Sequence, residues 1–350
     1  MIVDLRSDTC SCPDEGMRKA MAEAPVGNES WGEDPSVNTL IRKFCELTGK
    51  EDGLFCCSGT MANLCSAMTH ASFTGFGAEV MMDRYSHSNW YEVGNITTIA
   101  GMSLFPVEND GTYLSDENLQ KALKPRNNHM THSYLLWVEN TYMLGGGEPI
   151  PLSEMQRLRA FADKNGMKIH LDGARLLNAA VAQNVSPEEI ARYADSVQMC
   201  ISKGLGAPFG SVLLGTKEFI EQARWCRVAI GGGLRQAGIM AAAGVYAVDH
   251  YKETFTEMHA NAKRLANGLA ALIPACIDME SVRTNMVLLD PTPLGMTTQE
   301  FSAMLLPYDV KVMAGVPSKY GTRVRMMTYP GITEKHIDKV IASVKDALKL

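Results

Sequence analysis

Between residues 53 and 229 short apolar runs alternate with helical stretches, and this alternation constrains the fold more than any other feature of the chain. The runs GLFCCSG (53–59), AEVMMD (78–83), SLFPVE (103–108), SYLLWVEN (133–140), MKIHLD (167–172), SVQMCIS (196–202) and GSVLLG (210–215) read as strands. Helices are expected at 60–71, near 88–95, and at 114–124, 153–166, 186–194 and 217–229. Apolar strands of this length, spaced by helices, must be covered on both faces, which implies an α/β fold around a mostly parallel sheet.

The flanks read differently. Residues 1–15 look like an extended arm ending near Pro13, followed by a short helix over 14–24 and a polar loop over 26–38. SVNTLIRKFCELTG (36–49) opens on Ser36 as a cap, carries Leu40, Phe44 and Leu47 at helical spacing, and stops at Gly49. A long helical region spans about 235–275. The last seventy residues then give strands at 286–290, 310–315 and 323–328 and helices at 297–306 and 333–350, a small α+β unit. A chain of 350 residues exceeds one ordinary core. The expected division is an arm (1–15), a large domain (16–245) and a small C-terminal domain (246–350).

Composition narrows the function classes. A net charge of −6 argues against nucleic acid or an acidic membrane surface as partner. The nine cysteines are scattered without zinc-site spacing, so no metal site is expected and a reducing cytosol fits them. The N-terminal stretch lacks the basic-then-apolar pattern of a secretory signal. No segment approaches the roughly 18–20 apolar residues of a membrane span. The abundant methionines read as flexible fillers of core and subunit contacts.

The chemistry concentrates in HLDGARL (170–176) and SKGLGAPFGS (202–211). Asp172 ends a buried strand, and Lys203 lies 31 residues later at the start of a glycine-rich turn. Either residue alone would read as solvated surface. Together they match what pyridoxal 5′-phosphate (PLP) requires: an amine to join the aldehyde, and a carboxylate to hold the pyridine nitrogen protonated. Ser58-Gly59-Thr60 follows a strand and opens a helix, where free backbone amides and a glycine admit a phosphate. The same turn could be a simple cap. GGGLRQAG (231–238) offers Arg235, suited to bidentate anion binding, although a glycine run can be only a hinge. His87 follows a strand and could stack on the cofactor ring. His129 says nothing by its spacing.

Taken together the motifs resemble the L-threonine aldolase family of fold-type-I PLP enzymes. The resemblance is carried by DLRSDT (4–9), GEDPSVN (32–38), SGTMAN (58–63), the EV…H…YE pattern at 79–92 and VENT (138–141). It continues through HLDGARLLNAA (170–180), ARYADSV (191–197), SKGLGAPFGSVL (202–213), GGGLRQAG (231–238) and TNMV (284–287), collinear over nearly the whole chain. It implies a seven-stranded sheet in a large PLP domain, a small C-terminal domain, and a homo-oligomer, a dimer or a dimer of dimers, with active sites shared between subunits. It makes Lys203 the Schiff-base lysine, Asp172 the pyridine partner and Arg175 the neighbour of the cofactor's phenolic oxygen. Ser58, Gly59 and Thr60 become the phosphate turn, Arg235 an arginine reaching the phosphate of a neighbouring subunit, and His87 the stacked ring. Ser7 and Arg325 would bind the substrate carboxylate, with His129 near the substrate's β-hydroxyl.

The implied reaction cleaves Cα–Cβ of an L-β-hydroxy amino acid to glycine and an aldehyde, with His87, His129 or a water as base. β-Elimination to pyruvate and ammonia is the alternative on the same scaffold, and a binding protein without turnover is a third reading. The chain departs from the family at Trp31, at Tyr142-Met143 and at Tyr329, positions expected near the substrate side chain. Trp31 and Tyr142 are accordingly expected to touch substrate, in a pocket suited to a bulkier, apolar or aromatic β-substituent.

Overall fold

The computed structural model describes residues 2–109 and 113–350. Its strands are β1 (Val3–Asp4), β2 (Asp52–Cys56), β3 (Ala78–Asp83), β4 (Ser103–Val107), β5 (His132–Glu139), β6 (Lys168–Asp172), β7 (Ser196–Cys200), β8 (Ser211–Gly215), β9 (Met286–Leu289), β10 (Val310–Lys311), β11 (Met313–Val316) and β12 (Arg323–Met327). Strands β2 to β8 form one seven-stranded sheet in the order β2-β8-β7-β6-β5-β3-β4. Only β8 runs against the others, pairing antiparallel with both β2 and β7. The α/β reading and its mostly parallel sheet are thus what the chain adopts. Leu54, Val80, Leu136, Leu171, Val197 and Leu213 are fully buried, as strands covered on both faces require.

The short helix after the arm is α1 (Glu15–Ala22), capped by the Asp14 side chain, which accepts from the Met17 amide. Helix α2 (Pro35–Thr48) ends at Gly49, whose φ of 69° is the left-handed conformation a helix C-terminus favours. Its N-terminus differs from expectation. The cap is Asp34, whose side chain accepts from the amides of Ser36 and Val37, and Pro35 takes the first helical position. The stretch expected as loop therefore also holds a single 3-10 turn at Glu29–Trp31 and the first turn of the helix. Helix α3 (Gly59–Thr74) follows β2 after a two-residue turn and is capped by Ser58. The helix expected near 88–95 is instead two single turns, His87–Trp90 and Asn95–Thr98. The region 235–275 divides into Gly238–Val248 and Tyr251–Leu272.

A second core lies at the C-terminal end, built on the antiparallel sheet β11-β12-β9. Val287, Leu289, Phe301, Val324, Met326, Ile337 and Val340 pack there, joined by Val3 and Leu5 of the N-terminal arm. The arm is not simply extended. β1 pairs in parallel with β10, and residues Asp8–Cys10 make a 3-10 turn. The run VKVMAG breaks at Val312 because Val310–Lys311 serves the arm while Met313–Val316 serves β12. Among the described residues no helix is long and apolar enough to cross a membrane.

Candidate active site

A cavity of about 320 Å³ opens between the two cores, lined among others by Ser7, His87, Met143, Arg175, Lys203 and Arg325. Several of these side chains stand just past the end of a strand. Lys203 follows β7, Arg175 follows β6, and His87 opens the turn after β3. Arg325 projects from the middle of β12 and Ser7 from the arm, which is held by the β1–β10 pair, by Asp8 on Arg175 and by the Asp4 carbonyl on Tyr329. Side chains at the carboxyl ends of parallel strands are where open α/β sheets place their ligands.

Asp172, the last residue of β6, is buried at 2% exposure beneath this pocket. Its Oδ2 accepts from Asn63 Nδ2 at 2.9 Å, and its Oδ1 from Ala174 N at 3.1 Å and Gln198 Nε2 at 3.2 Å. Beside it lie two further buried carboxylates. Glu92 accepts from His87 Nδ1 at 2.9 Å, and Glu139 accepts from the amide of His87 at 2.8 Å and that of Met143 at 3.1 Å. Burial, reinforced by the charge of Asp172, pushes the Glu139 carboxyl up to about 7. Burial alone would lower His87, but the bond to Glu92 and the charges of Asp172 and Glu139 raise it above its ordinary value. Glu92 Oε2 is buried without a hydrogen-bond partner. Among the described residues no lysine or arginine pairs with the three carboxylates of this acidic floor, and His87 is the base bonded to Glu92.

The rim has the opposite sign. Arg175 is buried and forms a bidentate pair with Asp8, Nε to Oδ2 and Nη2 to Oδ1, both at 2.8 Å. Burial would raise Asp8, yet Arg175, Lys203 and Arg325 outweigh it and hold the carboxyl below its ordinary range. Arg325 is buried too, but among the described residues its guanidinium hydrogen-bonds only the Arg6 carbonyl, at 3.0 and 3.3 Å, and Met143 Sδ, at 3.6 Å. Among the described residues no carboxylate lies within ion-pair distance of it. Burial lowers its pKa, and the Arg175 charge adds to that.

These features fit PLP. Lys203, half-buried in the cavity, presents an amine for the aldehyde. The acidic floor suits a protonated ring nitrogen. At the head of α3 Ser58 Oγ accepts from the Met61 amide, and among the described residues the amides of Gly59 and Thr60 find no acceptor. A Cβ on Gly59 would lie 2.8 Å from Cys200 Sγ and 3.0 Å from Gln198 Nε2, so only glycine allows this turn to sit against the sheet.

Several expected site residues stand elsewhere. His129 is exposed on the loop before β5, and Trp31 is 74% exposed in the turn before α2. Arg235 is exposed and bonds Ser30 Oγ at 2.7 Å, on the same surface as Trp31. Tyr142 is buried but turns away from the pocket, its hydroxyl 2.7 Å from Asp83 Oδ1. Tyr329 places its hydroxyl on the Asp4 carbonyl at 2.5 Å, within the second core. Of the departures noted in the sequence, only Met143 lines the cavity. Conversely, Asp8, Glu92, Glu139 and Asn63 had no role assigned, although each lies within a motif that carries the resemblance.

The comparisons with known proteins agree with this geometry. The model of the beta-eliminating lyase family matches residues 4–292. The chain belongs to this family. It is 35% identical to low-specificity L-threonine aldolase 1 of Arabidopsis thaliana, over 99% of this chain and 96% of that protein. It is 37% identical to low specificity L-threonine aldolase of Escherichia coli K12, over 82% and 84%. Its fold matches the threonine aldolase of Leishmania major with a TM-score of 0.83 at 20% identity, over 99% of both chains. The chain is thus a PLP-dependent carbon–carbon lyase.

Proposed function

We propose that this chain is a PLP-dependent aldolase that cleaves the Cα–Cβ bond of L-threonine and related L-β-hydroxy amino acids to glycine and an aldehyde. The observation that carries the reading is Arg325, a buried guanidinium with no carboxylate partner among the described residues, lining the same cavity as Lys203. A charge buried without its counter-ion is costly, and the carboxylate of an amino acid supplies one. Bound PLP supplies an electron sink in conjugation with the substrate's Cα. Lys203 would hold it through its amine, Asp172 would keep the proton on its ring nitrogen, and the Gly59 and Thr60 amides would receive its phosphate. Arg325, with Ser7, pins the substrate carboxylate and so sets how the substrate lies in the pocket.

His87 takes the β-hydroxyl proton. Its Nδ1 is occupied by Glu92, leaving Nε2 for the pocket, and the acidic floor makes it a stronger base. His129 and Arg235 lie on the surface and would serve an active site only across a contact between subunits, in a dimer or dimer of dimers. The two cores support a large PLP domain and a small C-terminal domain that carries the arm, with the change of core falling between Met258 and Ala262 rather than at 245, since Val248, Tyr251, Phe255 and Met258 pack in the large core. The scattered free cysteines favour the cytosol.

The apolar lining of the cavity includes Tyr91, Met143, Met313, Ala314, Val316 and Pro317, with Met143 Sδ against the Arg325 guanidinium. It favours an apolar β-substituent beside the site for the substrate carboxylate. The test is a product assay with L-threonine, L-allo-threonine, L-phenylserine and L-serine. Glycine and the matching aldehyde are expected, with phenylserine giving the highest kcat/KM. Pyruvate and ammonia would replace this reading with β-elimination, and threonine as best substrate would overturn the apolar preference alone. Lys203→Ala should abolish the visible absorbance of the bound cofactor.

A further inference from the structure

Helix α3 carries three polar residues, Asn63, Ser66 and His70, at helical spacing of three and four, all fully or almost fully buried. They lie across β6 and β7, where His170 pairs in register with Ser196 and Asp172 with Gln198. The contacts are continuous. His70 Nε2 is 2.9 Å from Ser196 Oγ, which is 2.8 Å from His170 Nδ1. Ser66 Oγ is also 2.8 Å from His170 Nδ1. His170 Nε2 is 3.2 Å from Asn63 Oδ1, and Asn63 Nδ2 reaches Asp172 Oδ2 at 2.9 Å and Glu92 Oε1 at 2.9 Å.

The donors in this relay can be assigned from its end. Carboxylates accept, so the Asn63 amide nitrogen faces Asp172 and its oxygen faces His170. His170 must therefore carry its proton on Nε2, and its bare Nδ1 accepts a serine hydroxyl. Ser66 and Ser196 lie equally close to that nitrogen; with Ser196 as its donor, Ser196 accepts from His70 Nε2–H. Along the path His70–Ser196–His170–Asn63 each donor then points towards Asp172. Burial keeps both imidazoles uncharged, His70 falling to about 4 and His170 well below its ordinary value. The His170 ring is held laterally by Trp137, centroid to centroid 4.2 Å.

We infer that Asn63 and His170, backed by Ser196 and His70, are positioning residues that aim the Asp172 carboxylate at the cofactor's ring nitrogen. A core at this place has no need of five polar side chains, since apolar residues of similar volume would fill it without any hydrogen-bond requirement. What the relay adds is direction. Asn63 fixes the Oδ2 atom of Asp172 from the helix side while Gln198 fixes Oδ1 from the sheet side. Neither brings a charge that would compete with the ring nitrogen. The inference rests on Asp172 holding that nitrogen, as proposed above.

The test compares His170→Phe, which keeps the ring and removes the N–H, with His170→Gln, which restores a donor. His170→Phe should weaken PLP binding and lower kcat by about tenfold each, the usual scale for losing a group that orients a ligand-binding side chain, with KM unchanged. It should also shift the visible absorbance of the bound cofactor. His170→Gln should recover most of both. Ser196→Ala, a smaller change, should move the same readouts in the same direction should the phenylalanine variant not fold. In the cofactor-free wild-type protein, ¹⁵N NMR should show His70 and His170 as neutral Nε2–H tautomers. A charged or Nδ1–H His170 would overturn the relay. So would His170→Phe with wild-type cofactor affinity and spectrum, or losses of kcat, KM and stability together without rescue. If Asp172→Asn itself left cofactor binding and kcat unchanged, the functional reading of Asp172 would fail, whichever way the His170 variants behaved.

Discussion

The floor and the rim of the pocket solve opposite problems. The floor gathers Asp172, Glu92 and Glu139 on strands and turns of the large sheet, buried together, with His87 bonded to Glu92 through its ring and to Glu139 through its amide. The rim gathers Arg175, Arg325 and Lys203, and among the described residues only Arg175 has a carboxylate within hydrogen-bond reach, Asp8. Each half has the charge its ligand lacks. A cation is expected below, at the ring nitrogen, and an anion above, at the substrate carboxylate. The contrast also separates two kinds of buried arginine. Arg175 is a finished structural pair that ties the arm to the large sheet. Arg325 stands on the second core with its guanidinium on a carbonyl and a thioether. Satisfied buried charges hold a site together, and unsatisfied ones announce what binds there.

The largest effect should come from breaking the floor. Asp172→Asn keeps the shape and removes the charge, and kcat should fall by about 10²–10³-fold, the range for losing a preorganised electrostatic partner of a reacting group. Steady-state assays with cofactor in excess would show it, and an unchanged kcat would mean that the ring nitrogen is held elsewhere. Next come the two arginines, which should respond in opposite ways. Asp8→Asn leaves Arg175 buried without its partner and should destabilise the protein by about 3–5 kcal/mol in denaturant unfolding. Arg325→Leu removes a cation that has no partner. It should leave the cofactor-free protein as stable or more so, while raising KM by about 10–100-fold, equivalent to a charge-assisted hydrogen bond of about 1.5–3 kcal/mol. Equal destabilisation by both would erase the distinction between them.

Much of this frame was legible in the residues, and the exceptions have physical causes. AEVMMD and KEFIEQARWCRVA become strand and helix with the bounds their patterns suggest, because each is a local choice of period and flank. The cap of α2 lies two residues before Ser36 because Pro35, which reads equally as a turn former, takes the first helical position and makes Asp34 the cap. VKVMAG could not show its break, since Val310–Lys311 answers to an arm some three hundred residues away. Lys203, His87, Ser7 and Arg325 come together at one cavity with Asp172 beneath it. The departures do not, because a motif names neighbours without saying which way each side chain points. Tyr142 and Met143 are adjacent, yet one bonds Asp83 and the other lines the pocket. Trp31, His129 and Arg235 lie on the surface of a single chain, where only a second copy could give them a site. The carboxylate floor went unread because Glu92 and Glu139 are ordinary residues in their motifs until burial brings them beside Asp172.

The smallest expected effect is the most specific to the floor. Glu139 has its carboxyl raised to about 7 in the folded protein, above the ordinary glutamate value, through burial and the charge of Asp172. A raised acid favours the protonated folded state. Its contribution to stability is therefore full below the unfolded value and is lost as pH climbs through about 7. His87, also raised, adds a loss of the same sign as pH rises, whereas Asp8, lowered, matters only in more acid solution. Glu139→Gln removes the ionisable carboxyl and keeps one of the two oxygens that accept from the amides of His87 and Met143, at a cost in stability that does not depend on pH. Without cofactor, this variant should gain on the wild type in stability between pH 5 and pH 8, by thermal unfolding. Adding PLP brings a cation to the floor, so that gain should shrink. A difference that was the same at both pH values, or a gain that grew with PLP, would show that the three carboxylates do not act as one charged surface facing the ring nitrogen.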